Sequence, residues 1–145
     1  MKIILDGALI SNLDDFFNQI EKHLSVGECP WGRNLNSLDE IVMCNFNYTQ
    51  NPSFNVSEIV WNNSHLSAEK LGFAETIRFR QEGVVALNSR PYQQWTTAQI
   101  EQEILLPQRQ ILEEIERLKC GESQTLFELL TEILSSNESI KLTLA

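Results

Sequence analysis

Asp39 and Glu40 are adjacent carboxylates that closely follow the run Trp31-Gly32-Arg33-Asn34-Leu35. The run places an aromatic on a Gly-containing loop and then opens a helix with acidic side chains on its first turns. Two carboxylates can serve as acid and base in hydrolysis, or they can bind cations through charge-assisted hydrogen bonds. Neighbouring helical residues point about 100° apart, so Asp39 and Glu40 do not face one scissile bond. Recognition of a cationic surface is the chemistry left to them, with Trp31 as a rigid aromatic contact beside the acidic patch. Thiol chemistry is weaker still. Cys29 and Cys44 have no Cys/His context that would activate them, and His23 and His65 read as surface or capping residues. The expectation is a binding protein and not an enzyme.

Composition narrows the partner. The chain has 145 residues and a formal net charge of -9, with 20 acidic and 11 basic side chains. Such a balance opposes nucleic-acid binding, which needs a basic footprint to release counterions. It opposes adhesion to anionic membranes for the same reason, and it favours a basic protein partner by electrostatic steering. Cys29, Cys44 and Cys120 are odd in number and widely spaced, and the two histidines lie in no ligand spacing. Neither a disulfide framework nor a structural zinc site is expected, and no cofactor is implied. Asp6 interrupts the N-terminal apolar run too early for a signal-peptide core. The Asn-x-Ser/Thr matches at Asn47, Asn55, Asn62 and Asn137 are then chance matches, and a reducing cytoplasm is the expected location.

The elements that must position these residues follow from periodicity. Ile3-Ile4-Leu5 before Asp6-Gly7 reads as a short buried strand closed by a turn. Ser11, with Asp14 three residues on, reads as the cap of a helix whose apolar face is Leu13, Phe16, Phe17, Ile20 and Leu24, stopped at Gly27. A loop over 28–32 leads to a second helix starting near Arg33 or Asn34. Its core face is Leu35, Leu38, Ile41 and Val42, which leaves Asn34, Asn36, Asp39 and Glu40 mostly off that face. Residues 45–57 read as loop, and Glu58-Ile59-Val60-Trp61 as a second strand with Trp61 a core anchor. Ser67 is expected to cap a short helix ending at Leu71 before Gly72. An amphipathic helix over 126–134 precedes a terminal strand, Ile140 to Leu144, whose alternation suits a sheet edge. Strands separated by helices predict an α/β fold: a small three-stranded parallel sheet flanked by helices.

Residues 73–122 fit that pattern less well. Ile77, Phe79, Val84, Val85 and Leu87, around Glu82-Gly83, suit extended pieces or a hairpin; alternatively, residues 73–81 continue the preceding helix. Thr96 with Gln99 makes a capping box before a long helical pattern that Pro107 must kink or split. The reading is one domain over 1–145 with a mainly helical insertion at about 73–122. The insertion either enlarges the core or offers a second contact surface. Glu113, Glu114 and Glu116 read as a solvated face, and Trp95 suits either role.

The order of elements, with Ile4-Leu5-Asp6-Gly7 and Ile10, the first helix, Trp31-Gly32-Arg33-Asn34-Leu35 with Leu38, and the closing Ile140-Lys141-Leu142-Thr143-Leu144, resembles the barstar family of bacterial ribonuclease inhibitors. Val60-Trp61 to Leu71-Gly72 is similar to the family's middle strand and helix. The resemblance implies a partner, a basic nuclease toxin, and a mode of action: the second helix and its preceding loop plug the toxin's active site. Carboxylates there take the place of substrate phosphate. By position the family's principal acidic residue corresponds to Glu40 and its loop aromatic to Trp31. An acidic family position falls on Asn36, a further aromatic on Pro30, and another aromatic on Asp39. These departures point to a different nuclease target. The implied partner-binding set is Trp31, Gly32, Arg33, Asn34, Asn36, Asp39 and Glu40. The competing reading is a non-inhibitory protein–protein interaction module of the same fold.

Overall fold

The computed structural model describes residues 1–24, 31–47, 51–91 and 93–145. The stop at Gly27, Cys29 and Pro30 lie outside the described residues. The chain divides into two compact units, residues 1–71 with 126–145, and residues 72–125. In the first, strands β1 (Lys2–Asp6), β2 (Glu58–Asn62) and β3 (Lys141–Leu144) form a parallel sheet in the order β1-β2-β3. This is the α/β fold expected from strands separated by helices. The helices of this unit are α1 (Leu13–Glu21), α2 (Leu35–Met43), α3 (Ser64–Lys70) and α7 (Leu126–Leu134). No helix among the described residues is long and apolar enough to cross a membrane.

One face of the sheet builds the core. Ile3 pairs with Ile59, and Leu5 with Trp61, and all four are buried. Ile4 lies on the opposite face and is 53% exposed, so the buried-strand reading of Ile3-Ile4-Leu5 is corrected to a one-sided strand. A period of two sends Ile4 away from the helices that cover Ile3 and Leu5. β3 is an edge, as its alternation predicts, with Leu144 47% exposed. Trp61 is fully buried, with its ring centroid 5.3 Å from Phe16 and 5.1 Å from Phe127.

Local rules account for the helices. α1 buries Leu13, Phe16, Phe17 and Ile20. Its cap is Asn12 and not Ser11. Asn12 Oδ1 accepts the Asp15 N–H at 2.8 Å, and Asp15 Oδ2 accepts the Ser11 N–H at 2.9 Å. Asn caps as well as Ser and sits one residue nearer to Leu13. The helix ends before Leu24, which is half-buried in the turn that follows. α3 begins at Ser64 after Asn63, whose φ of 52° is left-handed. Ser67 is therefore interior and not a cap. It is fully buried and its Oγ accepts the indole N–H of Trp61 at 2.9 Å. Gln19 is buried too. Its amide closes both backbone groups of Asp6, accepting the N–H at 2.8 Å and donating to the carbonyl at 2.9 Å. That side chain completes the backbone hydrogen bonding at the end of β1.

In the unit 72–125, residues 73–88 are helical throughout (α4, Phe73–Asn88), so there is no hairpin; the helix starts afresh after Gly72 and runs past residue 81, and does not continue α3, which ends at Lys70. Thr96 and Gln99 form the expected capping box at α5 (Thr97–Ile100). A π-helical turn, Glu101–Leu105, then joins α6 (Leu106–Lys119). Pro107 has no N–H to give and its ring crowds the carbonyl one turn back, so the widened turn absorbs it without a break. α6 ends at Gly121, whose φ of 71° is left-handed. The Glu122 N–H reaches the Arg117 carbonyl at 3.0 Å and the Gly121 N–H reaches that of Leu118 at 3.0 Å, a Schellman close. α4 fully buries only Thr76, while Val85 is 64% exposed. It is a poor core builder for its length.

Candidate functional site

Asn34 starts α2. Its backbone is extended (φ -142°), and Oδ1 accepts the Ser37 N–H at 2.8 Å and the Ser37 hydroxyl at 3.1 Å. Gly32 is required by this cap. A Cβ there would lie 2.5 Å from Ser37 Oγ and 2.8 Å from Asn34 Nδ2. Arg33 takes the turn with a φ of 50°. Replacing Asn34 with alanine is expected to cost about 1 kcal/mol of stability, read by urea denaturation. An unchanged midpoint would mean the cap does not hold the helix start.

α2 buries Leu38, Ile41 and Val42, with Leu35 half-buried. Asn36, Asp39, Glu40 and Met43 fall at i, i+3, i+4 and i+7 and are all exposed. They form one solvent stripe about 10 Å long. Among the described residues, neither the Asp39 nor the Glu40 carboxylate has a hydrogen bond or ion pair. Met43, 57% exposed, completes the stripe with a flexible apolar contact that the sequence reading passed over. The same helical spacing, counted on from Asn36, identifies it.

The loop side chains behave differently. Trp31 is half-buried, its ring edge-to-face with Phe17 at 5.4 Å and 89°. Its indole N–H donates to Glu21 Oε1 at 2.9 Å. Arg33 Nη1 pairs with Glu21 Oε2 at 2.7 Å. Its Nη2 reaches Asp14 Oδ1 at 3.2 Å and Asn18 Oδ1 at 3.0 Å. The Glu21 hydrogen bond, with Asp14 in support, holds the Arg33 guanidinium above its ordinary pKa. Glu21 thus spends both oxygens on the loop. Asp14, Asn18 and Glu21, spaced i, i+4, i+7 on the outer face of α1, are the anchoring residues that sequence reasoning missed. Their polar stripe opposite Phe16 and Ile20 was the available signal.

The seven sequence-derived residues therefore separate into two groups. Asn36, Asp39 and Glu40 display free polar groups on α2. Trp31, Gly32, Arg33 and Asn34 form a turn fastened to α1. Asp14 and Glu21 face Arg33 at the turn, and Asp39 and Glu40 stand exposed on α2 without a cation paired to their carboxylates among the described residues. Among the described residues, no group of three or more His, Cys, Asp or Glu side chains is placed to hold a metal ion. Cys44 and Cys120 are free thiols. No protein-family model, no curated protein and no solved structure matches the chain.

Proposed function

We propose that this chain is a barstar-type inhibitor that binds a basic nuclease toxin, a ribonuclease by preference, and covers its active site with α2 and the preceding turn. The observation that carries this reading is the exposed pair of Asp39 and Glu40 carboxylates, unpartnered among the described residues, on a helix whose start is fastened by Asn34 and Arg33. A carboxylate held on a rigid helix can substitute for phosphate among the Arg, Lys and His groups of a nuclease. Fixing it beforehand lowers the ordering cost of binding. The net charge of -9 speeds approach to a basic partner. In this reading Asn36, Asp39 and Glu40 touch the partner directly. Trp31 presents its half-exposed ring, and Gly32, Arg33 and Asn34 hold the shape. The chain would guard its producer against a toxin that it binds one to one.

A second reading, a non-inhibitory interaction module, draws on the turn itself. Trp31 and Arg33 already have partners in α1, which leaves a smaller free surface than the sequence suggests.

The test is capture of the partner from the native host, followed by titration of its nuclease activity. Glu40→Ala and Trp31→Ala are each expected to weaken binding about tenfold or more, about 1.4 kcal/mol. Single alanine changes over 108–119 should do less. Association should slow as salt rises, because exposed charges are screened. If both variants protect as well as the unchanged chain, the site is wrong. If a partner is held with full nuclease activity, the second reading replaces the first.

A further inference from the structure

The unit 72–125 contains an arginine, Arg80, with no side-chain hydrogen bond or close ion pair among the described residues; its guanidinium lies 5.6 Å from the Phe79 ring centre. Arg80 on α4 is half-buried, and its Nε is sealed from solvent without a hydrogen bond. A sealed donor left unpaired is costly, so the Arg80 side chain does not add to the stability of this unit. Arg80 lines a cavity of about 420 Å³ with Pro107, Gln110, Ile111, Glu114 and Arg117 of α6. That volume lies in the range of roughly 300–1,000 Å³ typical of small-ligand sites.

The charges in this cavity select the ligand. Glu114 does not serve Arg80 by hydrogen bond. Its Oε1 accepts from Ser123 Oγ at 2.6 Å, and its Oε2 from Arg117 Nη2 at 2.8 Å. Those two donors hold the Glu114 carboxyl below its ordinary pKa. The Arg80 charge also acts on Glu114, and Arg80, Arg117 and Glu114 together leave one net positive charge at the cavity. A single negative charge balances it, and a dianion would be repelled by Glu114. A guanidinium takes a carboxylate through its two terminal Nη groups together, and those of Arg80 are not among the sealed atoms.

A second cavity of about 280 Å³ shares Arg80 and Ile111 and continues along Phe79, Gly83 and Ala86. Glu82, at the same cavity, is tied to Arg78. Gly83 leaves this groove open, because it has no side chain and its nearest neighbour would be Ile111 Cδ1, 3.7 Å from a Cβ. The anion-binding end thus continues into apolar walls.

We propose that the groove between α4 and α6 binds a small monocarboxylate with an apolar body, its carboxylate on Arg80 beside Gln110 and its chain along Phe79, Gly83 and Ile111. The site is separate from the α2 stripe and does not depend on the function proposed for it.

The test is calorimetric titration of the full chain with acetate, butyrate, hexanoate, hexanol and inorganic phosphate. Binding should tighten about tenfold for each two methylenes added to the acid. Hexanol and phosphate should bind at least tenfold more weakly than hexanoate. Arg80→Met should lose at least tenfold for hexanoate while melting no lower than the unchanged chain, since it removes an unpaired donor. Gly83→Leu should weaken hexanoate and leave acetate unaltered, which gives a second readout if Arg80→Met does not fold. Equal binding of hexanoate by Arg80→Met, phosphate binding as tight as hexanoate, or no gain with chain length would each overturn the proposal.

Discussion

Replacing Trp61 with alanine is expected to lower the unfolding free energy by about 3–5 kcal/mol. Trp61 is fully buried on the central strand, and its ring packs between Phe16 of α1 and Phe127 of α7. Truncation removes the aromatic contacts that join those helices through β2 and leaves a cavity no neighbour can fill without moving. It also leaves Ser67 Oγ buried without the indole N–H at 2.9 Å. Urea or thermal unfolding of the variant measures the loss. Trp61→Phe should recover most of the packing and retain a residual cost of about 1–2 kcal/mol from the missing hydrogen bond. If the alanine variant unfolds within 1 kcal/mol of the parent, the ring is not the hub of this core.

The second large effect is expected at Gly7, in the turn after β1. A Cβ there would stand 2.2 Å from the Asn63 carbonyl oxygen and 2.6 Å from Ser67 Oγ. Neither obstacle yields easily. Asn63 is held in a left-handed conformation, its Nδ2 donates to Asp6 Oδ1 at 3.0 Å, and its carbonyl accepts the Leu66 N–H at 3.0 Å. Gly7→Ala is expected to cost about 3 kcal/mol, the upper end of ordinary overpacking, because the main clash is with backbone. The double variant Gly7→Ala/Ser67→Ala separates the two contacts. It should stay well below Ser67→Ala alone in denaturant midpoint. Full recovery in the double variant would place the clash on the Ser67 hydroxyl and refute the backbone account.

Ser67 links both results and shows where one-dimensional reading ended. A serine a few residues before a helical stretch has the chemistry of a cap, and the sequence reading used it so. In the fold it lies inside α3, too confined for a larger side chain and placed to receive Trp61 from β2. No local signal distinguishes these roles, because the partner is on another element. Ile4 is a similar case. A run of three apolar residues fits a strand buried on both faces, and only the arrangement of helices on one side leaves Ile4 exposed. The region around 73–88 stayed open between extended pieces and helix for another reason. Its apolar residues follow neither period cleanly, and helix won over hairpin even though α4 fully buries just one residue. Where the pattern was strong it held: α1 and α2 bury the apolar positions expected between Leu13 and Ile20 and between Leu38 and Val42. The capping box at Thr96 is present, whereas Pro107 does not split the helix as expected, because a π-helical turn over 101–105 takes it up.

At the candidate site, the sequence by itself determined which side chains α2 turns outward. A 3.6-residue period with Leu38, Ile41 and Val42 inward leaves Asn36, Asp39 and Glu40 facing solvent. It also determined the acidic character of the chain and the order of strands and helices, all of which follow from residue type and spacing. Tertiary structure decided what the loop residues do. Trp31 and Arg33 have the chemistry of partner contacts, yet α1 brings Asp14, Asn18 and Glu21 against them and turns them into fastenings. Spacing along a chain reports which face a residue occupies. Whether that face meets solvent or another element's carboxylate depends on contacts between distant residues, and those exist only once the chain has folded.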